Sequence, residues 1–202
     1  QIEEIGVPAK EWALVGRNGN DVWAEPRGRD AGYLWPQYSI HRGRLQMLLY
    51  EEVVKRLGSS AVVTGSRLTG YGSGDGIIRA SFQNLASDTN IVEGAVLVGA
   101  DGLQSAARKQ MYPNEGPPVW GGPVMWRGTS EAVPIRTGAS FVLVGKLEQR
   151  FVCYPITRPD PMTGLATINW IAEVTYDTSE DWGHSDWNRQ VAVEKFLPFF
   201  ED

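Results

Sequence analysis

The segment around Asp101 carries residue types that could bind a nucleotide. Residues 96–98 are apolar and indicate a buried strand, which runs into the turn Gly99-Ala100-Asp101-Gly102 and then a short helix with Ser105 and Arg108 in its first turns. Such a turn leaves backbone N–H groups unpaired, and a pyrophosphate can accept hydrogen bonds from them. A carboxylate repels an anion, so Asp101 fits better as an acceptor for ribityl or ribose hydroxyls. From the residues alone, an ordinary strand–turn–helix corner, with Asp101 as a turn former or N-cap, is favoured over a nucleotide site.

Arg42 stands at the start of the clearest helix pattern in the chain, residues 43–57. The helix dipole disfavours a basic side chain at this end unless the side chain serves an anion or another acceptor. Arg42 is therefore a candidate anion ligand, and a solvent-facing arginine is the alternative. Arg44 faces elsewhere around the helix and is assigned to the surface.

Two tryptophans, Trp126 and Trp170, could line a pocket for an aromatic ligand. Both fall in strand-like runs, so they could equally be core residues of a sheet. Arg127 follows Trp126 directly. Side chains alternate between the two faces of a strand, so at most one of this pair is expected to face a pocket.

The other reactive side chains predict no site. His41 and His184 are too few and too far apart for a metal centre. Cys153, the only cysteine, excludes an internal disulfide and is predicted to be a small core residue within a strand. Ser73 lacks the nucleophile-elbow pattern of a hydrolase. We expect no metal, assign no catalytic acid, base or nucleophile, and place Arg158 on a loop surface.

The elements that must position these residues are mostly strands. Strands are predicted at residues 2–7, 11–15, 61–64 (parallel), 67–71, 77–82, 94–98, 124–129, 140–144, 151–156 and 166–174. A turn is predicted at residues 17–20, and residues 67–71 and 77–82 form an antiparallel pair across a glycine-rich hairpin loop. Helices are predicted at residues 43–57 (ended by Gly58), 102–110 (closed by Tyr112-Pro113) and 187–200, with Asp186 as N-cap after a polar loop at 178–186.

This order of elements indicates an α+β fold with a mixed, mainly antiparallel sheet. The loop signal at residues 114–118 is the best internal boundary. The domain prediction is a hairpin and connection at 1–28, an α/β domain at 29–116, and a β-sheet domain with a terminal helix at 117–202.

Composition limits the partners. A net charge of −5 over 202 residues argues against nucleic acid, which requires a basic face. No run approaches the roughly eighteen apolar residues of a membrane span, and no signal peptide is visible. Together with the single cysteine, this predicts a cytoplasmic protein without a nucleic-acid or membrane partner.

Two of these stretches resemble flavin motifs in a known order. The 99–102 turn with Ser105 and Arg108 is similar to the second flavin motif of the FAD-dependent aromatic hydroxylases, the para-hydroxybenzoate and salicylate hydroxylase type. Upstream, residues 38–48 resemble the family's His-Arg-x-x-Leu segment. Further likenesses point to a narrower branch, the phenazine-modifying monooxygenases that act on 5-methylphenazine-1-carboxylate; they are Trp23 to Gly28, Met125 to Gly128, Tyr154 to Ile156, and Asn169-Trp170.

The resemblance implies a cofactor, a reaction and site residues. FAD is reduced by NAD(P)H and O₂ is used to hydroxylate an aromatic, phenazine-type ring, with loss of CO₂ where the attacked carbon bears a carboxylate. Arg42, Asp101 and Gly102 would contact FAD. Gln46 resembles a position that approaches the flavin, although a polar helix residue is more often simply solvated. The α/β segment would then be part of a Rossmann-like FAD-binding domain, and the sheet after Pro118 one wall of the aromatic pocket.

Two motifs of the family are missing. No Gly-x-Gly-x-x-Gly turn precedes a helix; residues 70–76 come nearest, but Asp75 replaces the third glycine. The later Gly-Asp motif is also absent. We therefore expect an internal fragment of a longer enzyme, inactive alone. A non-catalytic aromatic- or partner-binding module is an alternative, as is another flavoenzyme of the superfamily, an epoxidase or polyketide hydroxylase. Exposed sheet edges would favour a homodimer.

Overall fold

A computed structural model describes residues 1–176 and 189–201. In chain order it contains α1 (Ile2–Ile5), β1 (Val7–Pro8), β2 (Glu11–Val15), β3 (Asp21–Pro26), β4 (Tyr38–Ser39), α2 (Arg42–Leu57), β5 (Arg67–Gly74), β6 (Ile77–Gln83), β7 (Thr89–Gly94), α3 (Ala106–Met111), β8 (Pro123–Ala132), β9 (Ser140–Lys146), β10 (Gln149–Pro155) and β11 (Ala166–Thr175). Single 3₁₀ turns lie at Gly28–Ala31, Ser59–Ala61, Val193–Lys195 and Leu197–Phe199. The α+β class and the mainly antiparallel, partly mixed sheet are confirmed.

The chain divides into two compact units. Unit 1 comprises Gln1–Glu51 and Trp120–Asp202, and unit 2 comprises Glu52–Val119. The segment predicted as the α/β domain, residues 29–116, overlaps unit 2 from residue 52 onward. All eight tryptophans fall within the two segments of unit 1. Tryptophan fluorescence therefore reports on unit 1.

Unit 1 is built on a six-stranded sheet in the order β3-β2-β9-β10-β11-β8. All neighbours are antiparallel except β2 and β9, which are parallel. The buried cluster on one face consists of Ala13, Val15 and Val142, and Val144 and Cys153 pack against it. Burial raises the pKa of the Cys153 thiol. The prediction that this cysteine is a core residue of a strand is confirmed.

A polar cluster ties three parts of unit 1 together. Arg136, in the loop before β9, donates to Glu11 of β2 at 2.7 and 2.9 Å and to Asp21 of β3 at 2.6 and 3.1 Å. The Ser140 hydroxyl also donates to Glu11, at 2.7 Å. These contacts lower the pKa of Glu11 to about 2, and the hydrogen bond from Arg136 is the largest cause.

Unit 2 contains an antiparallel sheet, β5-β6-β7. The β5–β6 hairpin turns at Asp75 and Gly76, whose φ values of 53° and 75° both lie in the left-handed region that this tight turn requires. The glycine-rich segment is therefore a hairpin, as predicted. Helix α3 packs on β5, where the Gln110 side chain accepts a hydrogen bond from the Tyr71 N–H at 2.9 Å and donates to the Tyr71 carbonyl.

Three predicted strands are wrong in whole or part. Residues 2–5 form α1, and of the predicted 2–7 strand only Val7 is paired, as the first residue of β1. Ala61 is the last residue of a 3₁₀ turn, and residues 62–64 after it join no sheet among the described residues. Strand β7 ends at Gly94, so the apolar run 96–98 is not a strand, and Val96 and Val98 are exposed. A strand exists only where a neighbour pairs with its N–H and C=O groups, and the described residues provide none for these runs.

Two helix predictions also need correction. Helix α3 begins at Ala106 instead of residue 102. Within the predicted 187–200 helix, the described residues form two separate 3₁₀ turns. Pro198, in the second turn, cannot donate to a continuous helix. The predicted loop at 178–186, Asp186 and His184 lie outside the described residues.

The remaining strand and helix predictions agree with the structure to within a few residues. Helix α2 ends at Gly58, which has a φ of 86°. None of its sixteen residues is buried, although its apolar positions follow helical spacing. Across residues 1–176 and 189–201, no helix has both the length and the apolar character needed to cross a bilayer.

Candidate functional site

The first candidate group lies at the start of α2. The helix begins at Arg42, and the Leu45 N–H donates to the His41 carbonyl at 3.1 Å. Arg42 and Gln46 are one helical turn apart, which places them on the same side of the helix, and both are exposed. Within the described part of the chain, neither side chain has a hydrogen bond or ion pair. Helix geometry thus provides a guanidinium and a carboxamide that are both available to an external acceptor.

The second candidate group, around Asp101, lies in unit 2. The Asp101 carboxylate accepts from the Ser105 hydroxyl and from the N–H groups of Ala106 at 2.7 Å and Ala107 at 3.2 Å. Ser105 in turn caps α3 by accepting from the Arg108 N–H at 2.9 Å. These bonds, the Ser105 hydroxyl first, lower the pKa of Asp101. The Asp101 carboxylate therefore accepts hydrogen bonds from N–H groups that could otherwise bind a pyrophosphate. This is the capping role, the alternative prediction for Asp101.

Gly102 has a clear conformational role in this turn. Its φ of 77° is left-handed, and no atom lies within 4 Å of the position a Cβ would take. Glycine is therefore favoured by the backbone conformation rather than by a close neighbour. Open space beside the turn also leaves room for a ligand next to the exposed Asp101.

Arg108 is already paired within unit 2. Both ends of its guanidinium contact the Glu115 carboxylate, with Nε to Oε2 at 2.6 Å. The pair raises the pKa of Arg108 and lowers that of Glu115. Arg108 thus stabilises the segment that follows α3, and it does not bind the helix C-terminus.

The third candidate group is an aromatic cleft of about 430 Å³ in unit 1. Strand β8 is an edge strand, and the cleft is lined by residues of β8, by Trp170 of β11 and by the segment after residue 188. The lining residues are Met125, Trp126, Arg127, Trp170, Arg189, Gln190, Val191 and Phe196. The structure thus brings together Trp126 and Trp170, for which the sequence left open a place in a pocket or in the core of the sheet.

Parallel rings form the wall of this aromatic cleft. Trp126 stacks on Phe196 with ring centroids 5.3 Å apart and planes 18° apart, and Trp170 is tilted against the same ring at 6.1 Å. The Trp170 ring lies over Gly128, where any Cβ would collide with it. Its indole N–H donates to the Ser130 hydroxyl at 3.2 Å. Gly128 therefore permits the close approach that sets this indole in place.

Sequence reasoning missed both cationic residues of the cleft. Arg127 was expected to face away if Trp126 faced a pocket, yet both line it, because consecutive residues of an edge strand can border a cleft at its free side. Arg189 comes from a distant part of the chain, and no local pattern links it to β8. Its position within the predicted helix at residues 187–200 did not indicate a place beside β8.

The described residues contain no group of histidine, cysteine and carboxylate side chains that could hold a metal ion. Arg42 and Gln46 fall in unit 1, as do Trp126 and Trp170, whereas Asp101 and Gly102 fall in unit 2.

Comparison with known proteins gives three findings, and no protein-family model matches the chain. The phenazine 1,6-dicarboxylic acid hydroxylase PhzS of Lysobacter antibioticus is 33% identical over 204 residues, covering 100% of this chain and 50% of that protein. The aurachin C monooxygenase/isomerase of Stigmatella aurantiaca is 35% identical over 132 residues, 64% of this chain and 32% of that protein.

Among solved structures, the 2,6-dihydroxypyridine-3-hydroxylase of Arthrobacter nicotinovorans has a similar fold. The TM-score is 0.59 at 18% identity, covering 90% of this chain and 43% of that one. The chain thus spans half or less of the length of the relatives that it matches.

Proposed function

Since the chain belongs to the family of FAD-dependent aromatic hydroxylases, we propose that the protein is a flavin monooxygenase that uses FAD, NAD(P)H and O₂ to hydroxylate an aromatic ring. The observation that carries the proposal is the similarity to a named hydroxylase along the whole chain. The proposed substrate is a phenazine-type compound, because that hydroxylase is named for a phenazine dicarboxylic acid.

The described residues fit the requirements of FAD. The exposed, unpaired guanidinium of Arg42 suits a phosphate oxygen, and Gln46 adds a neutral donor and acceptor one turn further on. Asp101 accepts three hydrogen bonds within unit 2, and a carboxylate has about four acceptor positions. One position is therefore left for a sugar hydroxyl, beside the open space at Gly102.

These contacts define what the chain itself contributes. When bound, FAD supplies electron transfer from NAD(P)H and oxygen chemistry toward an electron-rich ring. Arg42 neutralises phosphate charge, and Asp101 orients a hydroxyl group while it caps α3. The indoles of the aromatic cleft and the phenylalanine rings packed on them form an apolar wall that would keep water from one side of a bound ring. None of these residues donates or removes a proton in the proposal. Where the substrate bears a carboxylate at the attacked carbon, CO₂ would leave.

The test is substrate-dependent oxygen uptake by the full-length protein loaded with FAD. With NADH or NADPH, we expect phenazine-1-carboxylate to stimulate oxygen uptake and to yield a product that carries one oxygen atom from ¹⁸O₂. The 202-residue chain in the same assay is expected to show no NAD(P)H-dependent uptake. Absence of labelled product from the full-length protein, with phenazine-1-carboxylate and with other aromatic acids, would contradict the proposed function.

A further inference from the structure

The turn between β2 and β3 contains Asn18-Gly19, and Asn18 is the one asparagine of the sequence that precedes a glycine. Residues 17–20 are all exposed. Glycine has no side chain to shield its backbone nitrogen, and no atom lies within 4 Å of the position that a Cβ of Gly19 would take. An attack by the Gly19 nitrogen on the neighbouring side chain is therefore not hindered sterically.

The Asn18 side chain is folded over the peptide that follows it. Its Oδ1 accepts a hydrogen bond from the Asn20 N–H at 3.1 Å, which forms an Asx turn. The ring closed by this bond brings Cγ of Asn18 close to the Gly19 nitrogen, because that nitrogen lies between the two bonded groups along the chain. The same N–H polarises the side-chain carbonyl and stabilises the negative charge that develops on Oδ1 when a nucleophile attacks Cγ.

One hydrogen bond of the turn opposes this attack. The Gly19 N–H donates to the Gly16 carbonyl at 2.9 Å, and the Gly16 N–H donates to the Asn20 carbonyl at 2.8 Å. The Gly19 N–H lies in the exposed turn, where water replaces a lost hydrogen bond at little cost. The Gly19 nitrogen therefore becomes accessible to base whenever the turn opens.

We propose that Asn18 is a site of spontaneous deamidation. The Gly19 nitrogen loses its proton to hydroxide and forms a bond to Cγ of Asn18. The Cγ–Nδ2 bond breaks, and ammonia leaves with a proton taken from water. One water molecule then opens the resulting cyclic imide at either carbonyl, which gives aspartate or, with the chain continuing through Cγ, isoaspartate. One water is consumed, one ammonia is released, nothing is oxidised or reduced, and the turn gains a negative charge.

The modified turn is directly connected to the polar cluster of unit 1. Asp21 is the first residue of β3, and both of its carboxylate oxygens accept hydrogen bonds from Arg136, at 2.6 and 3.1 Å. Isoaspartate at position 18 lengthens the backbone of the turn and so displaces the start of β3 relative to β2. This displacement weakens the contact between Asp21 and Arg136, and deamidation therefore destabilises unit 1.

Asn84 provides an internal control for the reaction. Its Oδ1 also accepts from the N–H two residues on, that of Ala86 at 2.9 Å. It is followed by Leu85, whose side chain hinders its own backbone nitrogen. The two asparagines thus share the Asx geometry and differ in the residue whose nitrogen must attack.

The test is incubation of the 202-residue chain at mildly alkaline pH, followed by cleavage after glutamate and mass spectrometry of the peptides 12–25 and 53–93. A sample digested without incubation corrects for reaction during digestion. Exchange of amide for carboxylate is expected to be about tenfold or more faster at Asn18 than at Asn84. Isoaspartyl methyltransferase and labelled S-adenosylmethionine should detect isoaspartate in the 12–25 peptide.

Two variants and one stability measurement complete the test. Asn18→Gln should leave the 12–25 peptide unmodified, because the longer side chain must close a larger ring, whereas Asn84→Gln should not change its rate of modification. Equal rates at the two asparagines, or no modification of Asn18, would overturn the inference. In urea unfolding followed by tryptophan fluorescence, incubated wild type should have a lower midpoint than fresh protein, and incubated Asn18→Gln should not. Equal midpoints in fully modified and fresh wild type would contradict the coupling to Arg136.

Discussion

Replacing Arg42 with alanine is expected to weaken FAD binding about 10- to 100-fold, because a charge-assisted hydrogen bond contributes roughly 1.5–3 kcal/mol. The fold should survive, since the Arg42 side chain is exposed and has no partner among the described residues. The measurement is a titration of each variant with FAD, followed by the quenching of flavin fluorescence. Circular dichroism checks that the variant retains its secondary structure.

Arg44→Ala is the matched control for this substitution. Arg44 is an exposed arginine of the same helix, two residues on, and therefore faces a different side. Arg44→Ala removes one positive charge from α2, as Arg42→Ala does, but it keeps the proposed contact between Arg42 and a phosphate. Equal FAD affinity in wild type and Arg42→Ala would remove the cofactor role of Arg42. If both substitutions weaken FAD binding equally, the effect of Arg42 is a general effect of the charge on the helix.

Replacing Arg136 with methionine is expected to destabilise unit 1 by about 2 kcal/mol, between the usual values for exposed and buried ion pairs. The guanidinium is 24% exposed and the Glu11 carboxylate 17% exposed, so the variant leaves a mostly buried carboxylate whose one remaining donor among the described residues is Ser140. Urea unfolding followed by tryptophan fluorescence measures the loss in unit 1. Arg158→Met is the control and is expected to change the midpoint little, because its contact is exposed.

The same cluster predicts how stability depends on pH. Glu11 has a pKa of about 2 in the folded protein against an ordinary value of 4.5. A lowered folded-state pKa stabilises the fold fully above the unfolded pKa, and this contribution disappears as pH falls through the folded pKa. Wild type should therefore lose stability between pH 4.5 and 2. The difference in free energy of unfolding between wild type and Arg136→Met should become smaller as the pH falls over that interval. A difference that stays constant with pH would show that Arg136 does not stabilise ionised Glu11.

Local patterns were sufficient for much of the sheet. Turn residues such as Asp75-Gly76 specify a hairpin through their left-handed conformation, so β5 and β6 follow directly from the sequence. Strands β8 to β11 of unit 1 span seven to ten residues, many of them β-branched or aromatic, and their positions agree with the prediction. In these cases the information lies within a few neighbouring residues.

Local sequence patterns did not predict which segments find a strand to pair with. The runs 61–64 and 96–98 have strand-like composition, but no described strand lies beside them, and Val96 and Val98 are exposed. The segment Ile2–Ile5 is too short for the spacing of its apolar residues to distinguish a helix from a strand. Strand identity in these segments depends on long-range pairing, which a single sequence does not record.

The candidate site shows the same division. The helix start at Arg42 follows from local spacing, and the alternative prediction for Asp101, a turn former or N-cap, is close to the observed hydrogen bonds, although the cap of α3 is Ser105. The aromatic cleft required the position of β8 at the sheet edge and the return of Arg189 to that edge. Both are consequences of tertiary structure. The arginines that give the cleft its charge were therefore found only in the structure.

The most direct test of the central claim, that this chain holds FAD through its phosphates, compares FAD with riboflavin. Riboflavin has the same ring system but lacks the pyrophosphate, so it cannot use the proposed contact at Arg42. Titration of the 202-residue chain, followed by flavin fluorescence, should give saturable FAD binding with a Kd of about 1 μM and no saturation by riboflavin over the same range. Equal binding of the two flavins, or saturation by neither, would contradict the account.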